Sequence, residues 1–330
     1  MFFHPSAILF FCFLLVSMFM MICMNSWFLI WFFIEMNLLC FIPLILLKKN
    51  KYSVESSLKY FFVQALSSVL ILSGILLMFM NFDLYDWLFI SGLSIKLGFA
   101  PFHQWMVNIV EGLDWGLVLI LLTLQKVGPF ILFYYMYTMK DSTNYALHII
   151  SIMCALVGAM GGLFTSSLRK IMVFSSVSHS AWMILGLVSS IYLWLMYFIF
   201  YSLILFSVLF MFKYLNMSNL NHMFMKLSFV ISLSVGVSLL SMGGMPPLSG
   251  FIPKFILLSE FILMFNYFMF FVLLTSVFVS LFFYSRIFIL NFIFLNYKNT
   301  FLKNKNVGVS VSLYVNLMGV LVTPFLIYLN

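Results

Sequence analysis

The sequence predicts an all-α fold, that of a polytopic membrane protein. Of its 330 residues, 65% are hydrophobic and 7% are charged, whereas soluble domains are about 45–50% apolar and about 25% charged. A transmembrane helix with its loop uses roughly 28–30 residues, so this length predicts about eleven transmembrane helices. The same composition excludes an intrinsically disordered chain, because disordered segments are polar and rich in charge.

Apolar runs separated by polar or Gly/Pro clusters define the individual spans. The predicted spans are 2–24, 26–47, 56–80, 84–109, 114–138, 144–166, 169–190, 192–214, 227–265, 267–294 and 308–328. The ninth is too long for one simple helix, and GGMPPLSG at 243–250 interrupts it, because proline removes a backbone donor and breaks a helix. The fourth span carries a second interruption at 98–101. Such breaks are tolerated at membrane depth where they are buried in protein or line a wet cavity.

The two broken spans lie five helices apart, which predicts an internal repeat. A five-helix unit repeated in tandem inserts upside down the second time because five is odd, and inverted repeats with broken helices are typical of transporters. We therefore predict two inverted five-helix repeats, each with a broken fourth helix. The first repeat covers 1–138, the second covers 139–294, and 295–330 forms an inner loop and a final transmembrane helix.

The basic residues predict the orientation of the chain. Alternate loops on one side carry Lys48, Lys49, Lys51, Lys59, Arg169, Lys170, Lys213, Lys226, Lys298, Lys303 and Lys305. The opposite side carries Lys140, together with Asp83 and Asp86. The positive-inside rule then places the N-terminus on the basic side and the C-terminus on the other. This asymmetry accounts for the net charge of +8 without a nucleic-acid partner.

Four basic residues that are not counted in the loops fall inside the predicted spans, and two glutamates and a histidine join them. They are Glu35, Lys96, Lys126, His179, Lys254, Glu260 and Arg286. A charge at the bilayer centre costs at least about 2.5–3.5 kcal/mol on insertion scales, so retained charges indicate function. Arg286 lies near an inner end and can extend to the interface, Glu260 lies near the end of its segment, and His103 lies near the fourth-span break.

Three lysines adjoin sequences that break helices. Lys96 and Lys254 flank the two interruptions described above, and we expect Lys126 to precede a break at Gly128-Pro129. Broken helices expose backbone groups and helix dipoles at mid-membrane, where transporters place their ions. An isolated buried lysine is often a structural partner for a carboxylate, but the combination with Glu35 and His179 favours an ion path.

These groups are suited to carrying protons. Opposite charges about 4 Å apart interact by about 4 kcal/mol at an effective dielectric near 20, so forming or breaking a Glu35–Lys96 pair would change whether that lysine holds a proton. Lys126 and Lys254 would carry the proton onward, with His179 as a bridge, because histidine exchanges protons near neutral pH. The sequence contains no G-x-G-x-x-G, P-loop, H-E-x-x-H or C-x-x-C motif, so we expect no cofactor and no metal on this chain.

Several segments resemble chain 2 of mitochondrial NADH:ubiquinone oxidoreductase, the respiratory complex I. They are IEMNL at 34–38, KLGFAPFHQW at 96–105, QKVGP at 125–129, LRK at 168–170, SSVSH at 175–179 and GGMPPLSGFIPK at 243–254. The resemblance implies an antiporter-like subunit of the membrane arm that conducts protons. It further implies Glu35 and Lys96 as the input pair, Lys126 as the central relay and Lys254 as the output lysine. His179 matches a histidine of the family.

The same resemblance implies partners and a location. The chain would be a subunit of a proton-translocating NADH:ubiquinone reductase without a redox centre of its own, since NADH, FMN, iron–sulfur clusters and ubiquinone bind to other subunits. Its partners would be other membrane-arm subunits, including neighbouring antiporter-like chains, and membrane lipids, with cardiolipin as a candidate. It would lie in the mitochondrial inner membrane, with the N-terminus on the matrix side and the C-terminus on the intermembrane-space side.

Two other functions stay open at this point. One is a free-standing cation/proton antiporter built on the same inverted repeat. The other is a structural spacer of the membrane arm whose lysines have become ion pairs. Co-migration with a large NADH-oxidising assembly argues against the first, and substitution of the buried lysines tests the second.

Overall fold

The computed structural model describes residues 5–48, 50–81, 84–139, 142–220, 229–246, 248–263, 266–293 and 309–319. Its helices are α1 (Pro5–Cys23), α2 (Trp27–Leu46), α3 (Lys51–Phe79), α4 (Tyr85–Leu97), α5 (Gln104–Ile109), a 3-10 turn (Val110–Gly112), α6 (Trp115–Leu122), α7 (Leu124–Met139), α8 (Ser142–Phe164), α9 (Leu168–Ser189), α10 (Ile191–Tyr214), α11 (Phe229–Gly243), α12 (Phe251–Leu263), α13 (Tyr267–Ile293) and α14 (Val309–Gly319). The predicted all-α fold is confirmed for this part of the chain. Its β-structure is limited to one isolated antiparallel bridge, and the described residues form no β-strand.

The helices match the predicted spans closely. Within the described ranges, eight helical segments are long and apolar enough to cross a membrane. The fourth and ninth predicted spans are each divided into two shorter helices, α4 with α5 and α11 with α12. The eleventh corresponds to α14, and its remaining residues lie outside the described ranges. The chain is therefore a multi-pass membrane protein, as predicted.

Helix α3 shows how the chain is adapted to lipid. Its buried face carries polar side chains, including Ser56, Gln64 and Ser67, while Phe62 and Val69 are among its most exposed residues. The serine hydroxyls donate to carbonyls one turn earlier in the same helix, as Ser67 Oγ does to Gln64 O at 2.7 Å. Polar groups bury at helix contacts and apolar groups face outward because lipid is as apolar as the side chains themselves.

Loop contacts agree with the predicted alternation of sides. Lys48 Nζ forms an ion pair with Asp114 at 2.5 Å, and both loops were predicted to lie on the basic side. Ser167 and Asn219 form a β-bridge between two other loops of that side. Several residues used to predict the orientation lie outside the described ranges: Lys49, Asp83, Lys140, Lys226, Lys298, Lys303 and Lys305. The orientation in a particular membrane stays a prediction.

The chain divides into two compact units, Met1–Ile150 and Ser151–Asn330. In the first unit, α2 packs on α1 and α3, α4 packs on α3 and α7, and α7 also contacts α1. In the second unit, α10 packs on α9 and α11, α12 contacts α9, α10 and α13, and α13 packs on α11. The predicted repeat boundaries at 138 and 294, and the inverted relation of the repeats, stay predictions.

Candidate functional site

The first break ends α4 in a glycine turn. Gly98 adopts φ 65°, a left-handed conformation that strains other residues. The N–H of Gly98 donates to Ile95 O at 3.1 Å, and the N–H of Phe99 donates to Ser94 O at 3.0 Å. These two bonds close the end of the helix in the manner of a Schellman motif. The Gly/Pro signal in the sequence therefore predicted this break correctly.

The backbone carbonyls at the end of α4 receive hydrogen bonds from other elements. Trp105 Nε1 donates to Ile95 O at 2.9 Å, and Gln64 Nε2 donates to Lys96 O at 3.4 Å. Lys96 Nζ lies 3.4 Å from Ser67 Oγ on α3. A helix end away from water needs such partners, and a cation in the last turn complements the negative end of the helix dipole. These contacts hold the end of α4 and place the Lys96 amino group next to α3.

A small cavity, about half of whose lining is polar, connects two of the predicted lysines. Its polar lining consists of Asn37, Tyr60, Gln64, Lys96, Trp105, Gln125 and Lys126. The cavity volume is about 20 Å³, which is enough for an ordered water molecule where several polar groups converge. Lys126 is only 2% exposed. The structure therefore brings Lys96 and Lys126 to one buried site at which a single water can bridge polar groups.

The helix break beside Lys126 is not where the sequence predicted it. The chain breaks at Thr123, before the lysine, and Pro129 lies inside α7. The ring of a proline inside a helix clashes with the carbonyl four residues earlier, which here belongs to Gln125. The chain breaks two residues before Gln125, so Pro129 lies near the start of the new helix. Lys126 N donates to Thr123 O at 3.0 Å. Lys126 consequently lies in the first turn of α7, and the prediction of a break at Gly128-Pro129 was wrong.

Two amide side chains join this site to neighbouring helices. Gln125 Nε2 donates to Asn37 Oδ1 at 2.9 Å, linking α7 to α2. Asn37 Nδ2 in turn lies 2.9 Å from Met18 Sδ on α1. Sequence reasoning gave neither amide a role because neither carries a charge. The sequence did offer one sign of their importance. Gln125 is next to Lys126, and Asn37 is two residues from Glu35.

Glu35 lies on α2, half-buried, and acts electrostatically on Lys96. Within the described part of the chain, no direct ion pair joins these two residues. The predicted pair is therefore open in this conformation, with the carboxylate on α2 and the amino group on α4. Glu35 is also absent from the lining of the cavity that Lys96 and Lys126 share.

The second break lies between α11 and α12 and positions Lys254. Helix α11 ends at Gly243, and Gly244 adopts φ 81°. Lys254, in the first turn of α12, reaches back so that its Nζ donates to Gly243 O at 2.8 Å. The lysine side chain occupies the space where a Cβ on Gly244 would lie, 2.8 Å from Lys254 Cδ. A buried cation thus caps the carbonyl end of a broken helix.

An aromatic cluster lies between His179 and Lys254. His179 Nδ1 is 2.8 Å from Tyr197 Oη. The Tyr197 ring stacks on Trp182 with centroids 6.3 Å apart, and Lys254 Nζ lies 6.0 Å from the Trp182 centroid. His179 and Lys254 are 8% and 5% exposed. The two predicted residues therefore contact opposite ends of the Tyr197–Trp182 stack, which sequence analysis did not identify.

The other ionisable residues occupy less enclosed positions. Arg286 is exposed on α13, in agreement with the expectation that it extends to the interface, and Glu260 is half-buried on α12. His103 precedes α5, with its Nδ1 3.2 Å from Pro101 O. Among the described residues, no group of three or more His, Cys, Asp or Glu side chains is arranged to hold a metal ion.

Comparisons with known proteins agree with this architecture. A sequence model of the family described as NADH:quinone oxidoreductase/Mrp antiporter, transmembrane, matches residues 24–83 and 80–280. NADH-ubiquinone oxidoreductase chain 2 of Anopheles gambiae is 38% identical over 315 residues, which cover 90% of this chain and 89% of the relative.

Two solved assemblies contain chains with a similar fold. A chain of respiratory complex I from Thermus thermophilus aligns with a TM-score of 0.80 at 20% identity, covering 96% of this chain and 76% of the other. A chain of the Mrp complex from Dietzia sp. aligns with a TM-score of 0.77 at 16% identity, covering 87% and 60%.

The all-helical membrane fold and the matching family model place the chain in the class of antiporter-like membrane subunits. Within that class, the chain belongs to the family of NADH-ubiquinone oxidoreductase chain 2.

Proposed function

We propose that this chain is a proton-translocating, antiporter-like subunit of the membrane arm of respiratory complex I. The observation that carries the proposal is the shared cavity of the half-buried Lys96 and the buried Lys126, because two lysines that line one water-sized space form a route for a proton. Family membership supports the same function. In this role the chain supplies part of a proton-translocating NADH:ubiquinone reductase, and the redox groups (NADH, FMN, iron–sulfur clusters and ubiquinone) bind to other subunits.

The proposed proton path assigns a step to each site residue. Glu35 moves toward or away from Lys96, and this changes how strongly the lysine holds its proton. The proton passes from Lys96 to Lys126 through the cavity, and His179 continues the path toward Lys254. Transfer between the two compact units, from Lys126 to His179, is part of this proposal. Lys254 releases the proton beside the end of α11.

The proposal includes the setting of the chain. The neighbours are other membrane-arm subunits, including antiporter-like chains, with lipids such as cardiolipin at the exposed apolar faces. The location is the mitochondrial inner membrane, with the N-terminus on the matrix side. The basic loops support that orientation through the positive-inside rule, and the broken fourth and ninth spans support two inverted repeats.

The direct test replaces Lys96 or Lys254 by Met. Each substitution removes the charge while keeping a side chain of similar length, so we expect the complex to assemble and to lose NADH-driven proton transport. The measurement is acidification of vesicles containing the purified complex. Full transport in both variants would show that these lysines are not required.

Lys59→Met is the matched control for these variants. Lys59 is 48% exposed and pairs with Glu55 on the same helix at 2.5 Å, and an exposed ion pair of this kind contributes little to stability. We expect Lys59→Met to pump like the unmodified complex. A loss equal to that of Lys96→Met would mean that removing any lysine impairs this subunit.

A free-standing cation/proton antiporter remains the second candidate, because the family also includes Mrp antiporters. The two functions differ in their driving reaction. The complex I function is supported if the chain co-migrates with the NADH-oxidising assembly and moves protons only while NADH is oxidised. Exchange of protons for sodium or potassium by the isolated chain supports the second.

A further inference from the structure

Asn316 is a fully buried amide on α14, a helix to which sequence analysis assigned no function. Its relative exposure is 0%. Asn316 Oδ1 accepts a hydrogen bond from Ser241 Oγ at 2.5 Å, and Nδ2 donates to Ser207 Oγ at 3.1 Å and to Ser312 O at 2.6 Å. Every polar group of this amide therefore has a partner, and the side chain joins α14 to α10 and α11.

The backbone of the same residue holds the segment between α11 and α12. Asn316 O accepts the N–H of Ser249 at 3.1 Å. One turn further along α14, a Cβ added to Gly319 would come within 2.7 Å of Ser249 Cα. Only a glycine permits this close approach. Helix α14 consequently contacts both the last turn of α11 and the segment that leads into α12.

These contacts lie on both sides of the break that positions Lys254. Ser241 is two residues before Gly243, whose carbonyl accepts the hydrogen bond from Lys254. Ser249 is two residues before α12 begins at Phe251, the helix that carries Lys254. The Asn316 side chain thus bonds to α11, the helix whose last carbonyl accepts the hydrogen bond from Lys254. The Asn316 backbone bonds to the segment just before α12, the helix that carries Lys254.

We propose that Asn316 is a positioning residue that holds the broken α11–α12 joint, and thereby the Lys254 amino group, in its working geometry. This inference rests on the proposed role of Lys254 in proton release. It assigns to the final helix a function in the output step.

The hydrogen bonds of the neighbouring serines make this inference testable by substitution. Ser241 Oγ also lies 2.7 Å from Ser238 O, and Ser207 Oγ donates to Ile204 O at 2.7 Å. Both hydroxyls therefore keep an acceptor on their own helix when Asn316 is replaced by Leu, whose size is similar. The substitution removes the side-chain links to α10 and α11, keeps the backbone hydrogen bond to Ser249 and leaves no buried hydroxyl unpaired, so we expect the subunit to fold and assemble.

The first measurement is the number of protons pumped per NADH oxidised by the assembled complex in vesicles. Asn316→Leu is expected to lower this ratio by at least about 2-fold, because it removes two side-chain hydrogen bonds that join α14 to α10 and α11. Ser312→Ala is the matched control, because Ser312 is buried one turn earlier on α14 and its hydroxyl donates to Val309 O on the same helix. Equal pumping by Asn316→Leu and Ser312→Ala would overturn the inference.

The second measurement separates positioning from simple packing. If Asn316 acts through Lys254, Asn316→Leu causes no further loss in the pumping that remains in a Lys254→Arg complex, in which the charge is kept but its position beside Gly243 O is changed. Independent effects would instead multiply, and that result would contradict the inference. Should Asn316→Leu prevent assembly, Ser241→Ala removes the same link from α11 and is expected to reduce pumping, whereas normal pumping by Ser241→Ala would overturn the inference.

The two proposals fail in different ways. Loss of pumping in Lys254→Met with normal pumping in Asn316→Leu removes only the role of Asn316. Normal pumping in Lys254→Met removes the proposed output step itself and, with it, the role of Asn316.

Discussion

At the scale of single residues, the surroundings of the lysines distinguish them from ordinary basic side chains. Lys96 and Lys126 share a water-sized cavity, and Lys254 caps a helix carbonyl at 2.8 Å. Lys59, by contrast, is exposed and paired with a carboxylate. A buried cation is costly in lipid, so each of the three must gain interactions that the exposed lysine does not need. This difference is the basis of our proposal that the three lysines carry protons.

The Gln125–Asn37 hydrogen bond gives a prediction at this scale. Replacing either residue by Leu leaves the other amide without its partner across α2 and α7, which costs about 1–3 kcal/mol when the group is buried. We expect each single variant to slow proton pumping and to lower the unfolding temperature. The two effects should not add in the double variant, because both remove one contact. Additive losses, measured by pumping and thermal unfolding, would show that the contact is irrelevant.

At the scale of helices, the breaks determine where the lysines lie. The sequence predicted the breaks at 98–101 and 243–250 because glycine and proline mark them directly. It missed the break at Thr123, since threonine carries no such signal and the nearby Pro129 is accommodated inside α7. It also missed Tyr197, which contacts the preceding helix, and Asn316, whose partners lie on helices far away in the sequence.

Gly244→Ala tests the geometry of the second break. A left-handed conformation costs a non-glycine residue about 1–2 kcal/mol, and the new Cβ would lie 2.8 Å from Lys254 Cδ. We expect lower thermal stability and reduced pumping, because Lys254 must shift. Gly186→Ala is the control, since its Cβ would come no closer than 3.4 Å to a neighbour. A Gly244→Ala complex that behaves like Gly186→Ala would indicate that Lys254 tolerates displacement.

At the scale of the whole molecule, each compact unit contains a span that a Gly/Pro sequence breaks beside a lysine. The first unit contains Lys96, and the second contains Lys254. Hydropathy and charge counting were sufficient to predict the spans, because lipid imposes a minimum helix length and a basic side. They were insufficient to predict what lines the proton path, since that depends on packing between spans.

The predicted orientation is testable by labelling from each side of the membrane. In a chain with Cys12 and Cys23 replaced by Ala, a cysteine at Lys51 should react with an impermeant maleimide only from the matrix side. A cysteine at Tyr145, an exposed residue near the start of α8, should react only from the opposite side. Labelling of both positions from the same side would contradict the predicted alternation of loops.

The central claim is that protons cross this subunit through the cavity shared by Lys96 and Lys126. The most direct measurement is the ratio of protons pumped to NADH oxidised by an assembled complex carrying Lys126→Met, compared with Lys59→Met. We predict a clearly lower ratio for Lys126→Met, because the substitution removes the proton acceptor from the cavity without touching the redox reaction. Equal ratios for the two variants would contradict the claim.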